Sequence, residues 1–424
     1  MNNMPTNHLR ETVRQLVSSR PKRRSFLHLG LGIIAVILIG YALLFAVSSL
    51  PQSGLRGHII SAYEQGYFEN NWRRPPAVLR VFVKRLDMFT ECVGLGIAVN
   101  MRPEMHNLLS MSTFGECERG LPHAIAENFT VPSQPYMRYL HGYQIFLKPL
   151  YTFFPIDTVR LITGSITIGL LALLFVTLRS HLNTSYAAVI LLSLSFTKSL
   201  HVFFLVTHAA QFWLVLIGSI LVVRLRDRVP PFLLFGIIGA CDTFFSFLSM
   251  GSLSLGLPLL CYALAQWKDG RTPHEMIAAM FWAGIGWSVG FVALWLIKWT
   301  TLGFFLQTTK AQLIGGAADT YLAQSAGMIL TALFKNIKAL QWIVLSIICV
   351  ILIVRRIRQR PKTPDGLWAA TLPALIPVIW VCLLPGQSGI LHAFFVNVIF
   401  WPSIAALFLL LLALPKPISV SRQE

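Results

Sequence analysis

The chain has 424 residues, of which 55% are hydrophobic and only 12% are charged. Soluble domains carry about a quarter charged residues, so this composition excludes an ordinary water-soluble fold. The formal net charge of +18 raises the alternative of nucleic-acid binding. However, the Lys and Arg residues cluster in short segments beside apolar runs, which is typical of the cytoplasmic loops of membrane proteins. We therefore expect membrane lipids as partners, and no nucleic acid.

The apolar runs predict an all-α, polytopic membrane helix bundle of about ten spans. The first run, 28–48, follows a basic segment and lacks a small-residue cleavage site, which favours a retained anchor over a signal peptide. The other predicted spans are 158–178, 185–200, 206–223, 231–248, 250–266, 275–298, 339–356, 367–384 and 394–414.

Basic clusters between these spans fall on the same side as the basic N-terminus, 1–27, and the tail, 415–424. The positive-inside rule therefore predicts a multi-pass protein of the cytoplasmic (inner) membrane with both termini in the cytoplasm. The loop 49–157 is then extracytoplasmic, and 158–414 supplies the remaining membrane bundle.

The loop 49–157 is not a polar tether. Apolar residues recur with helical spacing near 76–99 and 135–154, interleaved with Arg, Lys and aromatic residues, which predicts interfacial helices. Cys92 and Cys117 both lie in this loop. They can form a disulfide if the loop faces an oxidising compartment, and the sequence leaves this open.

Acidic residues are scarce, 17 in the whole chain, so Asp87 and Glu91 in the loop are informative. Their spacing of four would place both carboxylates on one helix face at the membrane surface. One carboxylate near Lys84 and Arg85 would stay ionised as a base while its neighbour is held in a drier setting. The pair is the candidate catalytic site, and a candidate ligand set for Mg²⁺ or Mn²⁺. The competing interpretation is a solvated pair beside those bases.

A second group lies in the segment Pro135–Pro149. On a helix, Arg138, His141 and Lys148 would lie close to one face, surrounded by tyrosines that include Tyr143. This arrangement predicts an anion cradle, in which cations bind phosphate and tyrosines contact a sugar. The competing interpretation is an aromatic belt with snorkelling cations.

Further substrate-binding candidates are Lys198 and His201 in the next outward turn, near His208, and the intramembrane acid Asp242. Ionisable groups at membrane depth are functional candidates. A single histidine is more often a satisfied structural residue, and Asp242 would equally serve as a partner for a cation on another helix.

The layout resembles the GT-C superfamily of integral membrane glycosyltransferases, whose first outside loop carries an acidic catalytic residue. The segments Tyr136-Met-Arg-Tyr-Leu-His-Gly-Tyr143 and Leu255-Gly-Leu-Pro258-Leu are similar to those of bacterial GT-C-like proteins. The motif Asp87-Met-Phe-Thr-Glu91 is looser than the usual DxD-like motif. Ser246 stands where that group often has an Asp, and Asp242 lies one helical turn earlier.

This resemblance implies an enzyme that transfers a sugar from a polyprenyl-phosphate carrier, its lipid-linked donor, to an extracytoplasmic glycan, lipid or protein acceptor. The sequence also leaves three alternatives open. They are a glycan or lipid-carrier transporter or flippase, a polysaccharide polymerase or ligase, and a non-catalytic membrane partner. Transporters are commonly built from repeated halves, and no such repeat is evident here.

Overall fold

The computed structural model describes residues 4–73, 86–131, 133–247, 250–307, 326–339, 366–386 and 396–413, with positions 348, 350 and 354. These residues are mostly helical. The helices of the first half are α1 (Met4–Ser18), α2 (Arg23–Ser48), α3 (Gln52–Glu64), α4 (Met88–Asn100), α5 (Met105–Ser110), α6 (Gly120–Ala126), α7 (Gln144–Phe153), α8 (Ile156–His181) and α9 (Thr184–Leu192).

The second half continues as helices. They are α10 (Val206–Leu225), α11 (Pro231–Phe245), α12 (Gly251–Lys268), α13 (Pro273–Leu306), α14 (Ala326–Ala339), α15 (Leu367–Ala370), α16 (Ile376–Leu383) and α17 (Trp401–Leu412). The 3-10 turns are Ser193–Thr197, Leu200–Phe203, Leu372–Leu375 and Val396–Phe400.

Four of these helices are long and apolar enough to cross a membrane, namely α2, α8, α10 and α13. Shorter apolar segments within the described residues include α4, α11 and the helical stretches around α9, α16 and α17. The prediction of a helical membrane protein therefore agrees with the fold. The described residues do not form ten helices of spanning length, so the ten-span bundle stays a prediction, and most of 339–356 lies outside them.

The long helices differ in what they touch. Apolar side chains on α2 and α8 are widely exposed, among them Leu38 and Leu161, whereas most residues of α10 are buried. Apolar surface of this kind is stable against lipid and unfavourable against water. The helix α10 is therefore central, and it packs against α8, α11 and α12.

The helices α11 and α13 approach each other closely because glycines line their contact. A Cβ atom at Gly290 would overlap the carbonyl oxygen of Gly236, and one at Gly239 would overlap that of Trp287. Small residues of this kind let helix backbones come together in membrane proteins.

The segment between α2 and α8 folds onto the helix bundle. It contains α3 to α7 and two short two-stranded antiparallel sheets. In the first, β1 (Trp72–Arg73) pairs with β2 (Leu86–Asp87), and in the second, β3 (Ser112–Thr113) pairs with β4 (Gln134–Pro135). Apolar residues of α3, α4, α7, α8 and α10 share one core.

The prediction of one interfacial helix in this segment was wrong in both the bounds of the helix and its surroundings. The prediction covered 76–99, but α4 begins only at Met88, and Met88 to Val99 are buried apart from Phe89. The side chains of α4 are apolar on nearly every face, so the helix packs in a core rather than along a headgroup layer. Residues 74–85, including Lys84 and Arg85, lie outside the described residues.

The disulfide that the sequence left open is formed. Cys92 on α4 is joined to Cys117 just before α6, with 25 residues of sequence separation. The side chain of Asn71 reinforces this region, since it donates to Glu116 and accepts from the Cys117 backbone N–H.

Candidate functional site

Asp87 begins α4 as its N-cap. Its carboxylate accepts hydrogen bonds from the backbone N–H and the hydroxyl of Thr90. This is the local reason for its position, because an N-cap carboxylate satisfies N–H groups that a first helical turn leaves unpaired. Asp87 is fully buried, so the interpretation of a solvated surface acid was wrong for this residue.

The same carboxylate reaches α10. His208 Nε2 donates to Asp87 Oδ2 over 2.9 Å, and Nε2 carries the proton because an ionised carboxylate only accepts. Burial raises the pKa of Asp87, but the hydrogen bonds and charge of His208 and the bonds from Thr90 outweigh it, so the net pKa lies below its usual value. Asp87 is therefore held in its ionised form.

Glu91 lies one turn further along α4 and is also buried. Its carboxylate accepts from the Tyr151 hydroxyl at 2.9 Å and from the Thr207 hydroxyl at 2.8 Å. The Thr207 backbone N–H lies 3.4 Å from the same carboxylate. Glu91 and Asp87 thus meet two adjacent residues at the N-terminal end of α10, where the helix dipole favours negative charge.

His201 lies beside this pair. Its ring is 5.6 Å from that of His208, centroid to centroid, in an edge-to-face arrangement. The pKa of His201 is lowered to about 3, chiefly by burial and also by His208, while Asp87 opposes the shift. The ring is therefore neutral at physiological pH. Lys198, also predicted for the site, is half-buried on the same connection, and among the described residues no hydrogen bond joins it to either carboxylate.

The anion cradle predicted on one helix face is not formed. Residues 136–143 are turns between β4 and α7, and α7 begins only at Gln144. His141 has a left-handed backbone with φ of 57°, a conformation that an α-helix does not contain. Gly142 follows, and its N–H donates to the Phe244 carbonyl. Arg138, His141 and Lys148 therefore share no helix face.

The three cations of that prediction have separate surroundings. Arg138 is half-buried, with its guanidinium 5.9 Å from the centroid of the Tyr139 ring. The buried Lys148 amine donates to the Ser48 carbonyl at 2.9 Å and the Met101 carbonyl at 3.2 Å. Burial, with Arg102 nearby, lowers the pKa of Lys148 to about 8. Its position at two helix ends indicates a structural contact, since cations stabilise unpaired C-terminal carbonyls.

His141 is tied into a buried aromatic cluster. Its Nε2 donates to the Tyr136 carbonyl at 2.8 Å, so the neutral ring accepts at Nδ1 from the Tyr143 hydroxyl at 3.0 Å. The pKa of His141 is lowered to about 3, chiefly by burial and also by the Lys298 charge, while the hydrogen bond to the Tyr136 carbonyl opposes the shift. Burial raises the pKa of Tyr143 well above its usual value, so Tyr143 keeps its proton.

Asp242 lies on α11 and faces the same helix that binds the carboxylate pair. Gln211 Nε2, one turn after His208 on α10, donates to Asp242 Oδ1 at 2.7 Å. Asp242 is fully buried, and its Oδ2 has no hydrogen-bond donor among the described residues. A line of polar side chains therefore follows one side of α10 from Thr207 to Gln211.

An apolar groove opens on another face of the same helices. It has a volume of about 560 Å³. Its walls come from α7, α8, α10 and the end of α11, and include Phe146, Leu150, Leu170, Trp213 and Phe245. We call this feature the apolar groove, and its size and lining suit a hydrocarbon chain.

The carboxylate pair does not fit the predicted Mg²⁺ or Mn²⁺ ion. Oxygens of both Asp87 and Glu91 are already taken up by N–H or O–H donors of the protein. A divalent cation of this type needs several free oxygen ligands. No group of three or more His, Cys, Asp or Glu residues suited to a metal occurs within the described parts of the chain.

Sequence reasoning missed Thr207 and Tyr151, the partners of Glu91, and did not assign His208 to Asp87. Nothing local distinguishes Tyr151 from the other interfacial tyrosines. The only available signal was the presence of ionisable and hydroxyl groups at the start of an otherwise apolar span, 206–223.

The fold and this site together define a mostly helical membrane protein with a buried carboxylate–histidine cluster. Comparison of the chain with models of known protein families, with curated proteins and with solved structures finds no match. The likeness to GT-C enzymes therefore rests on the sequence segments and layout alone.

Proposed function

We propose that the chain is a membrane glycosyltransferase that moves a sugar from a polyprenyl-phosphate carrier to an acceptor at the outer face of the cytoplasmic membrane. One observation carries the proposal. Asp87 and Glu91, from the segment between the first two long apolar helices, converge on the adjacent residues Thr207 and His208. The pKa of the buried Asp87 is shifted by its surroundings, and buried ionisable groups with shifted pKa values are concentrated at functional sites.

The proposal includes a GT-C-like bundle of about ten spans, with both termini in the cytoplasm and 49–157 outside. The four long apolar helices support the membrane part. The Cys92–Cys117 disulfide supports the outside position of the loop, because disulfides persist in oxidising compartments and are rare in the cytosol.

In the proposed step, the acceptor oxygen attacks the anomeric carbon of the donor sugar, and its proton passes to a carboxylate. The bond from that carbon to the phosphate oxygen breaks, and the bonding electrons leave with the polyprenyl phosphate. This displacement inverts the sugar configuration. Asp87 is the candidate base because its lowered pKa keeps it ionised and able to accept a proton, and His208 positions its carboxylate. Glu91 is the alternative base.

The groups that would bind the donor lie around the pair. The apolar groove would take the carrier chain, since its walls share α7 and α10 with the partners of Glu91. Arg138 and Lys198, both half-buried, remain the cations proposed to hold the leaving phosphate, whose developing charge must be stabilised in the transition state. Lys148 and His141 are engaged with backbone carbonyls in this arrangement, so we no longer assign them to the phosphate.

Catalysis would require the acceptor to enter a closed site. Because both acids are buried and accept from protein donors, the acceptor hydroxyl must replace one donor, such as the Thr90 hydroxyl at Asp87 or the Thr207 hydroxyl at Glu91. The competing interpretation is that the pair only anchors the loop to α10. The two interpretations differ in what Asp87→Asn does, because the amide can keep the anchor but cannot accept a proton.

The test uses the full chain purified in mild detergent and a panel of short-chain prenyl-phosphate sugars. Acceptors include simple glycosides, lipid-linked glycans and peptides, and mass spectrometry quantifies released prenyl phosphate. The variants are Asp87→Asn and Glu91→Gln. Asp157→Asn is the matched control, because Asp157 is an exposed carboxylate bound to Tyr67 in the same part of the fold.

We expect wild type and Asp157→Asn to release prenyl phosphate at equal rates. At least one of the two site variants should lose about 10²–10⁴ in rate while remaining folded, as for loss of a general base. No release with any donor, or full activity in both site variants, overturns the proposal. Movement of intact donor across liposomes without sugar transfer would indicate a transporter instead.

A further inference from the structure

A second pocket lies away from the carboxylate pair, between α2, α5 and α13. It has a volume of about 260 Å³. Leu38, Met105 and Phe305 line it, and these side chains are 65%, 60% and 64% exposed. Since α2 and α13 are both long enough to cross a membrane, the mouth of this pocket is continuous with their apolar surface.

The pocket contains one cation and no carboxylate among its lining residues as the structure describes them. That cation is Lys298, whose side chain is only 2% exposed. Its amine donates to the Leu109 carbonyl at 2.8 Å. An ammonium group has three donors, and among the described residues no carboxylate lies within ion-pair distance of Lys298.

A lysine in such a position is costly unless an anion joins it, because a buried charge loses its hydration. Tyr41 and Thr301 also line the pocket and bring two hydroxyl groups to it, of which the Thr301 hydroxyl donates to the Ile297 carbonyl. The combination of one buried cation, hydroxyl groups and apolar walls matches a ligand with an anionic head and a hydrocarbon tail.

We propose that the Lys298 pocket binds the phosphate headgroup of a membrane lipid, with the lipid chain lying along the exposed apolar faces of α2 and α13. A soluble phosphate is a poorer fit, because the exposed residues at the mouth are apolar and offer it no polar path. The site is separate from Asp87 and Glu91, and the inference does not depend on the proposed transferase activity.

The experiment is native mass spectrometry of the full chain in mild detergent, titrated with dioleoyl phosphatidic acid. Dioleoylglycerol, which has the same chains and no phosphate, tests the headgroup, and inorganic phosphate tests competition by a free anion. The variants are Lys298→Met, which removes the amine and keeps an unbranched side chain one atom shorter, and Leu38→Trp, which fills the mouth. Leu31→Trp is the matched control, because Leu31 is 56% exposed on the same helix and does not line the pocket.

We expect wild type and Leu31→Trp to hold one phosphatidic acid molecule that resists competition by inorganic phosphate. Lys298→Met should bind it about tenfold more weakly or worse, as for loss of one charge-assisted hydrogen bond, and Leu38→Trp should also lose it. Asp157→Asn, which alters an exposed carboxylate that does not line the pocket, should bind as wild type does. Three outcomes would each overturn the inference: equal binding by wild type and Leu38→Trp, equal affinity for dioleoylglycerol, or displacement by inorganic phosphate. The Leu38→Trp result decides the question even if Lys298→Met fails to fold.

Discussion

Asp87 and His208 are 121 positions apart in the chain and are joined by a buried hydrogen bond of 2.9 Å. The bond connects the start of α4 to the first turn of α10. It therefore links the segment after the first long helix to the centre of the bundle. Both the proposed chemistry and the placement of α4 depend on this contact.

We predict that Asp87→Ala and His208→Ala each lower the free energy of unfolding by about 3 kcal/mol, because each leaves a buried polar partner unsatisfied. The loss of unfolding free energy in the double variant should be smaller than the sum of the two single losses, and the difference, which is the coupling energy, should be about 1–3 kcal/mol. Unfolding of the detergent-solubilised variants by denaturant measures these values. His208→Ala combined with the remote Asp157→Asn should be additive, and additivity for Asp87 with His208 would contradict the contact.

Stability should fall as the pH drops from about 7 to about 5. The pKa values of His141 and His201 are lowered to about 3 in the fold, whereas an unfolded histidine has a pKa near its ordinary value of about 6.5. In the interval between, the unfolded chain binds more protons, so acid favours unfolding. Each histidine lowers the free energy of unfolding by up to about 1.4 kcal/mol for each pH unit of acidification.

The measurement for this pH effect is the unfolding temperature at several pH values. The variants His141→Gln and His201→Gln cannot titrate, so each should show a shallower decline than wild type. Asp87 does not contribute in this window, because its lowered pKa keeps it ionised. An identical slope in wild type and both variants would show that these rings are accessible to protons in the fold.

Two glycines on the same helix should respond differently to a methyl group. Gly290→Ala should destabilise the protein by about 1–3 kcal/mol, because the new Cβ overlaps the carbonyl oxygen of Gly236 and forces α11 and α13 apart. Gly284→Ala is the control, since a Cβ there meets open space. Equal unfolding temperatures for the two variants would argue against close packing of these helices.

Removing the disulfide should cost stability without disturbing the other cysteines. We expect the free energy of unfolding of the Cys92→Ser/Cys117→Ser variant to be about 3 kcal/mol lower than that of wild type. Without the bond that closes this 25-residue loop, the unfolded chain gains conformational entropy. Cys382→Ser, which removes a half-buried free thiol, should behave as wild type. Thiol labelling of the unfolded protein without reductant would find Cys92 and Cys117 blocked, and labelling of both would refute the bond.

The sequence predicted the long apolar helices well, because hydropathy is a local property. The predicted span 206–223 corresponds to α10 at Val206–Leu225, and 158–178 to α8 at Ile156–His181. Helix boundaries inside the loop were less predictable. His141 and Gly142 interrupt the pattern read as one helix over 135–154, and the left-handed backbone of His141 depends on contacts with α11 that no local pattern reveals.

The acids of the candidate site could be singled out because acidic residues are rare in this chain. Their partners could not, since Tyr151 and Thr207 come from other helices and look like ordinary residues of an interface or a span. Lys298 was missed for a similar reason. A lysine near the end of an apolar run is usually a snorkelling interfacial cation, and only the packing of α2 and α5 encloses it.

The contacts of Lys148 have a mechanical consequence for the candidate site. Its amine holds the Met101 carbonyl at the C-terminal end of α4, while His208 holds Asp87 at the other end. Side-chain hydrogen bonds therefore fix both ends of this thirteen-residue helix. A displacement of the end of α2, whose Ser48 carbonyl shares the same amine, would therefore be transmitted along α4 to the Asp87 carboxylate.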